Sequence, residues 1–252
     1  MRKQDYTIAI GYNLLLQNDT INIDLEKTGH MCIAGGSGSG KSMLQLYILY
    51  KLSSISSPID LYIGDFKRSG DYKGVVNEDR FYEYDKVINL IDQFYEEFEN
   101  TPEDNQTLKI LLIDEYAGLI IWLMQNDKKK AEEIKSKISS ILMLGRSRKC
   151  FVWIVLQRIS AQLFPSGIGA IDNFQVLIGL GKLTMESHKS LFGSEHLDND
   201  QDLDMIYHRT GSGLCLIDGQ PLCAIQVPLI SDKYKLKRLI CKKFAEKHKK
   251  EQ

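Results

Sequence analysis

Eight consecutive residues, Gly35-Gly36-Ser37-Gly38-Ser39-Gly40-Lys41-Ser42, have the types and spacing of a loop that wraps phosphate. Glycines let the backbone curl so that successive N–H groups point at one anion, and the helix that follows adds the positive end of its dipole. Lys41 is expected to reach the outer phosphates and Ser42 to hold Mg²⁺, with Met43 bordering the loop. Further along, Ile110-Leu111-Leu112-Ile113 runs into Asp114-Glu115. At the carboxyl end of a strand, Asp114 can orient Mg²⁺ and its waters, and Glu115 can polarise the water that attacks a terminal phosphate. A third group, Gln157-Arg158, ends the apolar run Cys150 to Leu156, where an amide can sense whether that phosphate is present. Arginines of this region, Arg146 and Arg158 among them, could instead reach a neighbouring subunit's nucleotide.

These residues need strands that end beside one another. Met31-Cys32-Ile33-Ala34 precedes the glycine loop, and the helix after it is expected to run to about Leu52, stopped by the polar stretch Ser53 to Pro58. Ile59 to Asp65, Ile110 to Ile113, Cys150 to Leu156 and Val176 to Leu180 are short apolar runs of the kind buried on both faces of a parallel sheet. Between them, Val87, Leu90, Ile91, Phe94, Tyr95 and Phe98 keep helical spacing, as do Ala131, Ile134, Ile138, Ile141 and Leu142. Partial alternation over Tyr6–Tyr12 and Ile21–Leu25, with Gln17 to Thr20 as the turn, predicts an N-terminal hairpin. A second hairpin is predicted over Gly211–Val227, turning at Asp218-Gly219. His30 lies before its strand, which favours a structural role. The fold class is therefore α/β, a mainly parallel central sheet flanked by helices, with β-hairpins near both ends.

A chain of 252 residues with 43% hydrophobic content can bury a core as one large α/β domain. Its start is short and polar and no apolar run approaches a membrane span, so a soluble protein is expected. The five cysteines are scattered without C-x-x-C spacing, which suits reduced thiols in a cytoplasm. The net charge of −1 hides an asymmetry: residues 232–252 carry nine Lys or Arg against three Asp or Glu, leaving 23 basic against 30 acidic residues elsewhere. An acidic body argues against coating nucleic acid with the whole surface, while basic loops lining a pore stay compatible with it. Lys128-Lys129-Lys130 and Lys182 are such positions, although a solvated lysine run is the simpler account of the triplet.

The order of these motifs resembles one family. Gly29-His30 through Ser42, Gly64-Asp65-Phe66-Lys67, Ile113-Asp114-Glu115-Tyr116-Ala117-Gly118-Leu119, Gly145-Arg146-Ser147, Gln157-Arg158, Gly211-Ser212-Gly213-Leu214 and Val227 to Asp232 follow in sequence. From about Tyr6 to Asp232 the chain resembles the RecA-like motor domain of the FtsK/SpoIIIE family of DNA translocases, within the wider FtsK and HerA group of P-loop ATPases. The resemblance implies ATP and Mg²⁺, with Gly35, Gly36, Ser37, Gly38, Ser39, Gly40, Lys41, Ser42 and Met43 around the nucleotide and Ser42 and Asp114 on the metal. It implies catalytic roles for Lys41, Asp114, Glu115 and Gln157, with Arg146 and Arg158 as further candidates. It also implies a homo-oligomeric ring, expected to be a hexamer, threading double-stranded DNA past Lys128, Lys129, Lys130 and Lys182. The expected layout is one motor domain over residues 1–252: hairpin 1–28, core 29–231 and basic helix 232–252.

The chain departs from the family in lacking membrane spans, a linker and a winged-helix module, and in ending its strand Leu156-Gln157-Arg158-Ile159 rather than in Thr-Gln-Arg-Pro style. No arginine follows Asp172-Asn173-Phe174 where one is expected. A compact cytoplasmic motor of a plasmid, phage or conjugative element fits, recruited to the membrane by a transfer-complex partner. The alternatives are the ATPase of a type VII-like secretion system and a nucleotide-binding assembly scaffold. Intact Lys41, Ser42, Asp114 and Glu115 speak against the scaffold.

Overall fold

A computed structural model describes residues 6–16, 19–165, 169–197, 206 and 209–245. Residues 1–5, 17–18 of the first hairpin turn and 246–252 of the expected basic helix lie outside the described residues. In chain order the strands and helices are β1 (Thr7–Asn13), β2 (Thr20–Asp24), β3 (Met31–Gly35), α1 (Lys41–Ser53), β4 (Ile59–Asp65), β5 (Phe81–Glu83), α2 (Val87–Asn100), β6 (Leu108–Asp114), α3 (Tyr116–Asn126), α4 (Lys128–Leu144), β7 (Cys150–Leu156), β8 (Val176–Leu180), α5 (Met185–Phe192), β9 (Ser212–Ile217), β10 (Cys223–Gln226) and α6 (Lys233–Phe244).

All ten strands form one sheet in the order β2-β1-β10-β9-β8-β3-β7-β6-β4-β5. From β8 to β5 the neighbours run parallel; β9, β10, β1 and β2 extend that sheet antiparallel. The two hairpins expected separately thus meet through β1 and β10, with Tyr12 opposite Gln226. The glycine-loop strand β3 and the acidic strand β6 are not neighbours. Strand β7 stands between them, so Gln157 emerges between the two chemical groups.

Both faces of the parallel strands are covered, which explains their unbroken apolar sequence. On β3, Met31 and Ile33 join the cluster under α1 and α6, while Cys32 and Ala34 face the cluster with α2, α3 and α4. Strand β7 divides likewise, Phe151, Trp153 and Val155 to one side and Val152, Ile154 and Leu156 to the other. The short β5 and the single helical turns around it were not foreseen, because residues 72–86 show neither a period of two nor of 3.6.

The amino end of the parallel sheet is closed by specific bonds. His30 is fully buried, its Nδ1 accepts from the Val152 amide at 3.0 Å, and burial pushes its pKa down to about 3, with Arg146 adding to the shift. Trp153 Nε1 donates to the Gly29 carbonyl at 2.8 Å. Only a glycine fits there, since a Cβ on Gly29 would stand 2.2 Å from the Phe151 ring. The structural role expected of His30 is what the structure shows.

Candidate functional site: the cavity at the phosphate loop

At the carboxyl end, the loop after β3 turns through Gly38 (φ 77°) and Gly40 (φ 106°), left-handed conformations that favour glycine. A Cβ on Gly40 would also meet Gly211 Cα at 2.8 Å, and the Gly211 amide donates to the Ser39 carbonyl at 3.1 Å. The second hairpin therefore braces the loop at its entrance to β9. Helix α1 starts directly on Gly40 with no side-chain cap and no acid in its first turn. Helices α2 and α3 likewise lack a side-chain cap, whereas α4, α5 and α6 are capped by Asp127, Thr184 and Asp232. The free N–H groups of α1 make its start an anion site. Lys41 Nζ lies across the loop, donating to the carbonyls of Gly35 (2.6 Å) and Gly36 (2.8 Å). Burial lowers its pKa, Glu115 and Asp114 oppose that shift, and Lys67 adds to it.

Across the cavity, Asp114 closes β6, and Glu115 takes a left-handed conformation (φ 59°) as the N-cap of α3. Such a conformation costs of order 1 kcal/mol or more in a residue with a side chain, and it turns Glu115 out of the strand line. Its Oε2 accepts from Gln157 Nε2 at 3.0 Å. Asp114 is raised to a pKa of about 6, chiefly by burial; Gln45, donating at 3.4 Å, opposes the shift, and the charges of Asp65 and Glu115 add to it. Gln45 in turn accepts from the buried Tyr72 hydroxyl. A carboxylate burdened by burial and two like charges suits a cation as its partner, and so fits the Mg²⁺ expected between Ser42 and Asp114.

A cavity of about 330 Å³ joins these groups: Gly38, Lys41, Ser42 and Met43 on one side, Asp114, Glu115 and Gln157 on the other. Lys67, Ser69 and Asp71 complete its wall. Sequence reasoning did not assign these three, although their place just after β4 is a signal, because in a parallel sheet the segments that follow strands reach the carboxyl end. Gly36, Ser37, Gly38 and Ser39 border a further cavity of about 300 Å³ with Lys182, Arg209 and Thr210. A larger, more apolar cavity of about 810 Å³ lies between α3, α4 and the segment after β7; it shares Glu115 and Gln157 with the first and is also lined by Arg158. The cavity of about 330 Å³ is the chemical one, because it collects the phosphate-loop lysine, the serine and both carboxylates.

The remaining candidate residues lie at separate places in the fold. Arg146 precedes β7 and sits beside His30 at the amino end, about 20 Å of strand away from Gln157, so it is no part of this chain's own site. The four lysines expected as DNA contacts lie in two places. Lys182 stands beside the phosphate loop, whereas Lys128 to Lys130 open α4. Within the triplet, Lys128 and Lys129 are exposed, but Lys130 Nζ is paired with Asp92 (2.8 Å) and Glu133 (2.9 Å). Arg158 is exposed at the carboxyl end, as expected.

Comparison with known proteins agrees with this geometry. No protein-family model matches the chain. It is similar to the FtsK domain-containing protein YdcQ of Bacillus subtilis (strain 168), 24% identical over 216 residues, which cover 78% of this chain and 44% of the relative. The chain thus spans less than half of that relative's length. Among solved structures, the conjugation coupling protein TcpA of pCW3, in its monomer form with ATPγS, superposes with a TM-score of 0.73 at 20% identity, over 96% of this chain and 71% of that one. The cytoplasmic domain of the type VII secretion ATPase EccC of Thermomonospora curvata gives 0.71 at 16% identity, over 98% and 32%. The fold is that of a RecA-like P-loop ATPase, and the resemblance to FtsK-type motors read from the motifs holds.

Proposed function

We propose that this chain hydrolyses ATP and that the hydrolysis drives double-stranded DNA through a ring of its own copies, a hexamer. One observation carries the ATPase reading: the Gln157–Glu115 bond spans the strand ends between the phosphate loop and Asp114, so the water-activating carboxylate is held by the residue that senses the terminal phosphate. With Oε2 engaged by Gln157, Glu115 Oε1 is left to take a proton from the attacking water as the oxygen bonds the γ-phosphorus and the β–γ bridging bond breaks. Lys41 and the amides of the loop hold the phosphates in line. Ser42 and Asp114 would hold Mg²⁺, which supplies neutralising charge on the phosphate oxygens when bound.

DNA as the load is supported by the likeness to an FtsK domain-containing protein and to a conjugation coupling protein, and by the exposed Lys128 and Lys129 at the start of α4. In a ring, Arg158 or Arg146 would meet a neighbour's nucleotide; the amino-end location of Arg146 leaves it a role only across such a boundary. Recruitment to a membrane by a transfer-complex partner is part of this reading; among the described residues no helix is long and apolar enough to cross a membrane. Export of a protein substrate is the second reading. The likeness to EccC and the apolar cavity that shares Glu115 and Gln157 with the phosphate-loop cavity favour it.

Phosphate release by the full chain, with and without duplex DNA of increasing length, tests the proposal. Stimulation that grows with length, and falls severalfold in Lys128→Gln/Lys129→Gln, is the expected result. Hydrolysis indifferent to DNA would overturn translocation and leave protein export as the better reading.

A further inference from the structure

Strand β4 lies one strand beyond the acidic strand, with Asp65 in register beside Asp114. The chain then crosses toward the cavity, the Phe66 amide donating to the Asp114 carbonyl at 3.3 Å. Lys67, two residues beyond Asp65, borders the same cavity as Lys41.

The segment that carries Lys67 is braced throughout. Asp65 is fully buried, and its Oδ2 accepts from the Ser69 hydroxyl at 2.9 Å and the Gly70 amide at 3.3 Å. Phe66 stacks on Tyr84 with ring centroids 5.2 Å apart, and the Arg68 guanidinium lies 4.4 Å over the same ring. From the other face of the sheet, Lys237 of α6 donates to the Gly70 carbonyl at 3.3 Å. Lys67 itself is exposed and has no ion-pair partner among the described residues, although Asp71, Asp114 and Glu115 line the cavity with it. Lys109, Lys130, Lys135, Lys137 and Lys149, in contrast, are each held by an acid. A rigid mount with an unengaged ammonium is the arrangement of a ligand contact rather than of a structural salt bridge.

Which part of a nucleotide it meets follows from strand order. From β3 the cavity passes the ends of β7 and β6 before reaching β4, three strand spacings or about 14 Å away. Phosphates seated on the loop after β3 present their outermost member on that side, next to Glu115. Three carboxylates line the cavity against two lysines, so a polyphosphate there depends on both cations.

On the reading of this cavity as an ATP site, we infer that Lys67 is a second phosphate-binding lysine, one that contacts the γ-phosphate and so distinguishes ATP from ADP. The diphosphate ends short of it. Lys41 holds the phosphates common to both nucleotides, and Lys67 reports the one that hydrolysis removes.

Calorimetric titration of the full chain with ATPγS and with ADP, each with Mg²⁺, tests this in the wild type, Lys67→Ala and Lys67→Arg. Lys67→Ala should weaken ATPγS about tenfold, within the range of one charge-assisted contact, and leave ADP within about twofold. Lys67→Arg should recover most of the loss, and all three chains should melt together because the side chain is exposed. Equal loss for both nucleotides, or no loss for either, would overturn the inference while leaving the ATP site standing. A wild-type chain that binds neither nucleotide would remove the ATP reading itself, and this inference with it.

Discussion

The two ends of the parallel sheet carry similar residue types and treat them in opposite ways. At the amino end, His30 is buried and bonded to Val152, Trp153 is bonded to Gly29, and Arg148 donates to the Phe98 carbonyl at 3.0 Å while stacking on its ring. At the carboxyl end, α1 has no side-chain cap, Glu115 is held left-handed, Asp114 is crowded by like charge and Lys67 has no acid partner among the described residues. The amino end meets most of its polar groups, although His30 Nε2 stays buried without a hydrogen-bond partner among the described residues and Lys149, just before β7, is left-handed (φ 54°). The carboxyl end stores unsatisfied charge and backbone strain where a ligand can relieve them, which is how functional sites commonly forgo stability. Histidine, arginine and lysine are therefore poor guides to chemistry until the end of the strand on which they sit is known.

Substitutions can break this contrast, and the largest effect is expected from glycine. Gly29→Ala at the amino end must displace the Phe151 ring, costing about 1–3 kcal/mol and lowering the melting temperature by several degrees. Gly36→Ala at the carboxyl end has open space around the new Cβ and should melt with the wild type. Equal melting of the two variants would contradict the account.

A smaller effect, and one of opposite sign at the two ends, is expected from pH in metal-free buffer. His30 titrates near 3 when folded against 6.5 for an unperturbed histidine, so the unfolded chain gains a proton first and His30's contribution to stability falls as pH drops below about 6.5. Asp114 titrates near 6 when folded against 3.8, so ionised Asp114 costs stability at neutral pH, and the cost fades as pH falls through 6. Asp114→Asn should accordingly raise the unfolding free energy at pH 7.5 by about 1–2 kcal/mol, and by less at pH 5. His30→Gln should flatten the acid limb between pH 6.5 and 4.5. Denaturant unfolding across pH reads both; an Asp114→Asn chain less stable than the wild type at pH 7.5 would show that the carboxyl end is not strained as described.

Much of this site was legible because its parts are local in sequence. The run from Gly35 to Ser42, the apolar strand before Asp114-Glu115 and the strand before Gln157 each state their geometry within a few residues. Long-range partners were not legible: Lys130 reads as one of three equal lysines, yet Asp92, on another helix, engages it. The placing of Arg146 was legible in principle, since a residue that precedes a parallel strand cannot share its carboxyl end. Lys67 follows the same rule in the other direction. Both hairpins were read correctly as units, but their union through β1 and β10 depends on tertiary pairing that alternation alone does not encode.

We propose that the carboxyl-end cavity is an ATP hydrolysis site in which Glu115 activates water. Steady-state phosphate release, measured together with ATP binding on the wild type and Glu115→Gln, tests it most directly. The amide is close in size and keeps the left-handed turn but cannot take the proton, so turnover should fall 10²- to 10⁴-fold while ATP binds as before. Undiminished phosphate release by Glu115→Gln would contradict the account.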